Sequence, residues 1–192
     1  MGRTSQYFTY KTRGNLGEVN LVGKVYEPIL EVLSDHVPHR IGDILEKTAD
    51  KGINYSSLIS ALVILMSKGS LALAQECDAA LIRQCQGLNR EILKRTVSGQ
   101  GISYMASPVT GSGVFMGQIP QLLVSALSEK KAEHVQESLE NYLQALFSKA
   151  KVTLNVNGKS CGALSAEGKE EIRRQTERFV SSLPLYRNLH LL

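Results

Sequence analysis

The sequence predicts a mostly α-helical protein of the α+β class, and three observations carry that prediction. Hydrophobic residues make up 43 % of the 192-residue chain and charged residues 21 %, which is the balance of a folded protein with its own core. Apolar residues recur at spacings of three and four along several long stretches, as they do on the buried face of a helix. Shorter stretches, such as residues 102–106, alternate or are flanked by turn residues, which is typical of strands.

The first part of the chain contains an arm and three predicted helices. Residues 1–20 alternate weakly, which predicts a short strand or an extended arm. Helical periodicity follows at 21–36, 40–52 and 54–69, and the strand-like run "SLALAQ" comes next. Glycines end the second and third helices, and a polar residue caps the third, which are ordinary helix boundaries. These boundary residues are Gly52, Gly69 and either Asn54 or Ser56.

The order of three helices and a strand resembles a winged-helix module, which we assign to residues 21–86. Such modules often place the third helix in the major groove of DNA. Phosphate contacts dominate DNA affinity and need Lys or Arg, yet the third helix carries only Lys68, at its far end. Two apolar stripes on this helix predict burial on both sides, so we expect a protein-docking module; nucleic-acid binding is the disfavoured alternative. The stripes are Leu58, Leu62 and Leu65, and Ile59, Val63 and Met66.

The rest of the chain, residues 87–192, is predicted to be a helical module with short strands. The segment at 152–165 is predicted to be a strand followed by a turn at Asn157-Gly158, because this dipeptide favours tight turns. The last helix is expected to end at Leu183-Pro184, since proline breaks a helix interior. The helices are predicted at 87–99, from about Pro120 to Leu127, at 132–150 and at 166–182.

The glycine-rich stretch "SYMASPVTGSGV", residues 103–114, matches no motif for phosphate binding or catalysis. A P-loop needs a Gly-Lys-Ser/Thr sequence at the start of a helix, and a dinucleotide site needs glycines in a different register. A nucleophile elbow needs G-x-S-x-G, which is absent. The four histidines, at positions 36, 39, 134 and 190, have no metal-binding spacing to cysteines or acids. We therefore predict no catalytic residue, metal site or cofactor site on this chain.

Within this stretch we predict a shaped turn that is also a docking surface. Pro108 fixes its own φ and extends Ser107, which ends the preceding strand. Gly111 and Gly113 are expected to adopt positive φ and reverse the chain. The alternative is that the glycines serve folding alone. The candidate docking residues are Ser107, Pro108, Thr110, Gly111, Ser112 and Gly113.

These residues carry a resemblance to a known family. Asn89, the A-S-P-V-x-G-x-G signature at 106–113 and the Leu-Pro-Leu at 183–185 resemble the regulatory domain of bacterial class I S-adenosylmethionine-dependent methyltransferases. In that family the regulatory domain follows the catalytic domain, and Asn89 would stand at the start of a helix. The resemblance covers most of residues 20–192. It also includes an apolar helix, here with Leu122, Leu123, Ala126 and Leu127.

The resemblance implies an accessory role rather than an activity of this chain. The family's catalytic half, with its glycine-rich cofactor loop, has no counterpart here, so we expect either a separate chain or a domain cut from a longer one. The cofactor S-adenosylmethionine would then lie on the catalytic methyltransferase domain, which becomes the expected partner. Family members that methylate protein lysines imply a protein substrate as a second partner.

Charge and cysteine content complete the expectations. The net charge is +4, and arginines near the C-terminus alternate with glutamates at helical spacing, which is typical of a solvated face. Three cysteines without close pairing favour a reducing compartment, so we expect a cytoplasmic protein. The nearly uncharged run at 55–67 holds four serines and is too short to span a bilayer, and no signal peptide is recognised.

Overall fold

The computed structural model describes residues 9–14, 17–129 and 135–192, and it confirms a mostly helical α+β fold. Contacts divide the chain into a first unit, residues 1–74, and a second unit, residues 75–192. The boundary predicted after residue 86 lies inside a helix that runs from Ala79 to Val97. Asp78 caps this helix, since its carboxylate accepts a hydrogen bond from the Leu81 N–H at 2.8 Å. Residues 75–86 therefore belong to the second unit.

The first unit is a β-hairpin followed by three helices. The predicted arm contains two antiparallel strands, with Lys11 opposite Asn20; residues 1–8 and 15–16 of that arm lie outside the described residues. The Lys68 ammonium group, at the end of the third helix, donates a hydrogen bond to the Lys11 carbonyl at 2.7 Å. The elements are β1 (Lys11–Gly14), β2 (Gly17–Asn20), α1 (Gly23–Val32), α2 (Ile41–Thr48) and α3 (Tyr55–Ser67).

Helix α3 forms the centre of the first unit's core. The predicted stripe of Leu58, Leu62 and Leu65 is confirmed, because all three side chains are buried with Ile29 of α1. The predicted cap is also confirmed, since the Asn54 side chain accepts a hydrogen bond from the Ser57 N–H at 2.9 Å. The second predicted stripe is wrong: Val63 is 49 % exposed, and Ile59 and Met66 are only partly buried.

The strand predicted after α3 does not form. Residues 71–78 have no regular secondary structure, and β1 and β2 pair only with each other. The alternating pattern has another cause: Leu71 packs against the core of the first unit, whereas Leu73 is 75 % exposed. The structure therefore lacks, among its described residues, the strand that suggested a winged helix at this position.

Asp35 is hydrogen-bonded to His39 and Val37 within the segment that connects α1 and α2. His39 Nε2 lies 2.9 Å from Asp35 Oδ2, and the Val37 N–H donates to Asp35 Oδ1 at 3.1 Å. Burial alone would raise the pKa of Asp35, but these two hydrogen bonds and the charges of His39 and Lys47 outweigh it and lower that pKa.

The Asp35→Asn variant keeps an oxygen that can accept from the Val37 N–H, removes the charge, and replaces the oxygen that faces His39 by an amide nitrogen. Because the folded state lowers the pKa of Asp35, the carboxylate stabilises the fold above its ordinary pKa of 3.8, and this contribution disappears as the pH falls through the lowered value. We expect the variant to lose a few tenths of a kcal/mol at pH 7, since the pair is partly exposed. Urea unfolding at a series of pH values measures this, and equal losses at neutral and strongly acid pH would contradict it.

The second unit consists of four helices and two β-hairpins. Each hairpin is a two-stranded antiparallel sheet. The helices supply most of the residues of one hydrophobic core, which includes Leu123, Leu143 and Phe179. The described part of the predicted helix at 132–150 begins at Val135. The elements are α4 (Ala79–Val97), β3 (Tyr104–Ser107), β4 (Ser112–Phe115), α5 (Gln118–Glu129), α6 (Val135–Lys149), β5 (Thr153–Val156), β6 (Lys159–Gly162) and α7 (Ala166–Asn188).

Two local predictions in this unit have different outcomes. The hairpin turn is confirmed, because Asn157 and Gly158 both have positive φ, 52° and 80°, as a type I′ turn requires. The predicted break at Pro184 is wrong, since α7 continues to Asn188. Burial of Phe179, Leu183 and Leu191 in the core outweighs the cost of a proline inside the helix, which is about 3 kcal/mol.

Among the helices that the structure describes, none combines the length and the apolar character that crossing a membrane requires.

Candidate functional site

The predicted docking loop is a β-hairpin rather than an open loop. Ser107 ends β3 and lies opposite Ser112 of β4, and Ala106 lies opposite Gly113. The turn between the strands is therefore only 108–111. The two glycines and two serines concealed β4 in the sequence, because they interrupt the apolar alternation that marks a strand.

The last residue of β3 and the first half of the turn are buried and offer no surface for docking. Ser107, Pro108 and Val109 are all buried in the second unit. The Ser107 hydroxyl donates a hydrogen bond to the Leu189 carbonyl at 2.8 Å, which ties the hairpin to the end of α7. Two of the six candidate docking residues, Ser107 and Pro108, thus have a structural role. The exposed candidates are Gly111, Ser112 and Gly113, with Thr110 partly exposed.

Asn89 fixes the outer edge of β3. Its carboxamide accepts from the Ala106 N–H at 2.7 Å and donates to the Ala106 carbonyl at 2.9 Å. A neighbouring strand would make the same pair of bonds, so this side chain replaces the neighbour that β3 lacks. Asn89 lies within α4 and not at a helix start, because α4 begins ten residues earlier, at Ala79. Asn89 and Ala106, two of the residues on which the predicted resemblance rests, are thus in direct contact.

Gln75 fixes the turn of the hairpin. Its N–H donates to the Val109 carbonyl at 2.8 Å, and its side-chain amide donates to the Pro108 carbonyl at 3.0 Å. The prediction of positive φ is confirmed for Gly111, at 61°, and is wrong for Gly113, which has strand geometry. A Cβ atom on Gly111 would also lie 2.8 Å from the Gln75 carboxamide oxygen. A side chain at position 111 would therefore adopt an unfavourable φ and displace the end of the Gln75 side chain.

A third carboxamide, that of Gln121, holds both ends of the hairpin. Its amide nitrogen donates to the Ile102 carbonyl at 2.7 Å, just before β3, and to the Met116 carbonyl at 2.8 Å, just after β4. Its oxygen accepts from the Thr96 hydroxyl of α4. Gln121 is fully buried. Sequence reasoning missed it, although a lone glutamine within the apolar run "IPQLLV" was a signal.

The outer face of the hairpin is aromatic. Tyr104 and Phe115 lie opposite each other with their ring centroids 5.7 Å apart in an edge-to-face arrangement. They are 53 % and 69 % exposed. Aromatic residues at this exposure are typical of interaction surfaces rather than of cores. The accessible part of the hairpin is thus the turn around Gly111 together with this aromatic pair.

Histidines, cysteines and acids do not converge anywhere in the described residues: no group of three or more could hold a metal ion. His36 and His39 lie near Asp35 in the first unit, and His190 follows α7 with a φ of 52°. His134 lies outside the described residues. Cys77, Cys85 and Cys161 are free thiols of intermediate exposure.

The chain is similar to a protein of Synechocystis sp. (strain ATCC 27184 / PCC 6803 / Kazusa), "Uncharacterized protein sll1526". The two are 30 % identical over 177 residues, which cover 91 % of this chain and 33 % of the relative. The chain thus spans about a third of the length of that protein. No family model matches the chain, and no solved structure does.

Proposed function

We propose that this chain is a non-catalytic regulatory or substrate-recognition module of an S-adenosylmethionine-dependent methyltransferase, and that it is cytoplasmic. The observation that carries the proposal is the arrangement of the signature residues. Asn89 binds the main chain of Ala106 at the start of the 106–113 signature, Ser107, Pro108 and Val109 are buried, and the turn at Thr110–Gly111 stays accessible. The resemblance of this signature to the regulatory domain of class I methyltransferases supports the role.

In this proposal the catalytic domain is a partner and carries the cofactor. S-adenosylmethionine sites of the class I type need a parallel sheet with a glycine-rich turn leading into a helix. The strands in the described residues form three separate antiparallel pairs, so the proposal places the cofactor elsewhere. The length of the Synechocystis relative supports a larger whole, because two thirds of that protein lie outside the matched segment.

The accessible face of α3 argues against the nucleic-acid alternative. The exposed residues of this helix are neutral, and Lys68 donates hydrogen bonds to the carbonyls of Thr9 and Lys11. A helix that reads DNA needs cations for the phosphates. Two cations of α7 are paired with acids as well, since Arg173 pairs with Glu170 and Arg174 with Glu171.

The test uses this chain and the part of the Synechocystis relative that lies outside the matched segment. We expect that part to bind S-adenosylmethionine in calorimetric titration, the present chain not to bind it, and the two to associate. Thr110→Glu and Ser112→Glu are expected to weaken the association about tenfold, because they place charge on the accessible turn and on the exposed first residue of β4.

Ser160→Glu is the matched control, because Ser160 is an exposed serine on the second strand of the other hairpin. It should leave the association unchanged. The proposal fails if the remaining part of the relative does not bind the cofactor, or if the turn variants and the control have the same affinity. Protein concentrations of about 1 μM keep this measurement separate from any self-association.

A further inference from the structure

Strand β4 has an unpaired outer edge. In an antiparallel pair the backbone groups of successive residues point alternately toward the partner and away from it. The Ala106 N–H and C=O point away from β4, because Asn89 binds both. Gly113 lies opposite Ala106, so the backbone groups of Gly113 and Phe115 point away from β3. In the described residues β4 pairs with no strand other than β3.

Strand β4 is short, which is one protection of a strand edge, but it has neither a charged residue nor a proline. Natural edge strands discourage pairing with other chains by carrying Lys, Pro or inward-pointing charges. The sequence of β4 is Ser-Gly-Val-Phe, and no charged residue occurs between Arg95 and Glu129. The adjoining face carries the exposed rings of Tyr104 and Phe115. This edge is therefore suited to pairing with a neutral, apolar strand.

We propose that β4 pairs antiparallel with β4 of a second copy of this chain, forming a four-stranded sheet. A two-fold axis at Val114 places Gly113 opposite Phe115 of the partner subunit. In each copy Gly113 and Phe115 direct their backbone N–H and C=O groups to the shared edge. The two symmetric Gly113–Phe115 pairs therefore form about four hydrogen bonds between the copies. The contact thus satisfies the outward N–H and C=O groups of both copies.

The side chains and the charge of the edge favour a second copy over other strands. Phe115 lies on the same face as Gly113 of the partner subunit, and its ring covers the glycine that lacks a side chain. In a two-fold contact, a charged residue on β4 would lie close to the same charge on the partner subunit. Strand β4 has no charged residue, so this repulsion does not arise. The dimer leaves the turn at Thr110–Gly111 accessible but shares Gly113 and Phe115 with the candidate docking surface, and the difference in protein concentration keeps the two tests apart.

Sedimentation equilibrium of the full chain tests the pairing directly. One strand edge buries less area than the roughly 1,200 Å² of stable complexes, so we expect a weak dimer with a Kd on the order of 100 μM. Amide hydrogen exchange then locates the contact. From about 10 μM to about 1 mM protein, the amides of Gly113 and Phe115 should exchange about fivefold more slowly. The Ala106 amide, bound by Asn89, should not change with concentration.

Phe115→Lys should abolish the dimer at about 1 mM, since it brings like charges to the shared edge. Leu164→Lys is the matched control, because Leu164 is similarly exposed, at 62 %, but lies after β6; it should dimerise like the original chain. Gly113→Glu is a second test, and a Cβ atom fits there, 3.5 Å from the Tyr104 ring. Circular dichroism verifies that each variant is folded.

A chain that remains monomeric at about 1 mM overturns the proposal and leaves the edge to a strand of a different protein. A dimer that withstands both Phe115→Lys and Gly113→Glu, or one lost in Leu164→Lys, overturns it as well. Concentration-dependent protection confined to Gly113 and Phe115, and removed by the two edge variants, supports it.

Discussion

Replacing Gln121 by leucine is expected to lower the free energy of unfolding by about 2–5 kcal/mol. The leucine fills much of the same volume but donates no hydrogen bond. The carbonyls of Ile102 and Met116, which flank the hairpin, would lose the amide nitrogen that binds both of them at 2.7 and 2.8 Å. A buried acceptor without a donor costs about 1–3 kcal/mol, and the Met116 carbonyl is one. The partly buried Ile102 carbonyl adds less, and the buried Thr96 hydroxyl loses its acceptor on Gln121.

Urea denaturation of the full chain measures this loss, and Gln118→Leu is the control on the same helix. Gln118 is exposed on the first turn of α5, so its replacement should change stability by no more than about 0.5 kcal/mol. Similar stabilities for the two variants would show that the Gln121 hydrogen bonds do not hold the hairpin. Amide exchange would add detail, because strands β3 and β4 should lose protection before α6 does.

Replacing Gly111 by valine is expected to destabilise the chain by about 2–4 kcal/mol. Its φ of 61° lies in the left-handed region, which costs a β-branched residue about 1–3 kcal/mol. The added Cβ atom would also displace the Gln75 carboxamide and break its hydrogen bond to the Pro108 carbonyl, which is worth about 1 kcal/mol.

Gly113→Val is the control for this prediction. Gly113 has ordinary strand geometry, and the nearest atom to an added Cβ is in the Tyr104 ring at 3.5 Å, a normal packing distance. We expect a change within about 0.5 kcal/mol, because valine favours strands. If both glycine variants lose stability equally in thermal or urea unfolding, the backbone conformation of Gly111 is not the cause.

Local chemistry made much of the helical framework predictable. The spacing of Leu58, Leu62 and Leu65 indicated the buried face of α3, because it follows the helical repeat. The Asn157-Gly158 turn was equally predictable from the sequence, since its geometry requires positive φ at both residues and this dipeptide favours that conformation. Both features depend on residues that are close together in the chain.

The features that the sequence concealed depend on distant residues. Strand β4 forms because β3 pairs with it, although its glycine has low strand propensity. Helix α7 passes through Pro184 because its flanking apolar residues are buried. The docking site stays a prediction, and the burial of Ser107 could not be read from its neighbours, because its hydroxyl binds Leu189 at the end of α7, more than seventy residues further along the chain.

The three carboxamides have a consequence for how this hairpin can diverge among relatives. Three side chains bind main-chain atoms of the hairpin or its flanks: Gln75, Asn89 and Gln121. These hydrogen bonds do not involve side chains of the hairpin. Main-chain atoms are the same whatever residue supplies them. Mutations at the outward positions, such as Tyr104 and Phe115, can therefore accumulate without altering the frame. Selection for a new binding partner can change that surface while the amides preserve its geometry.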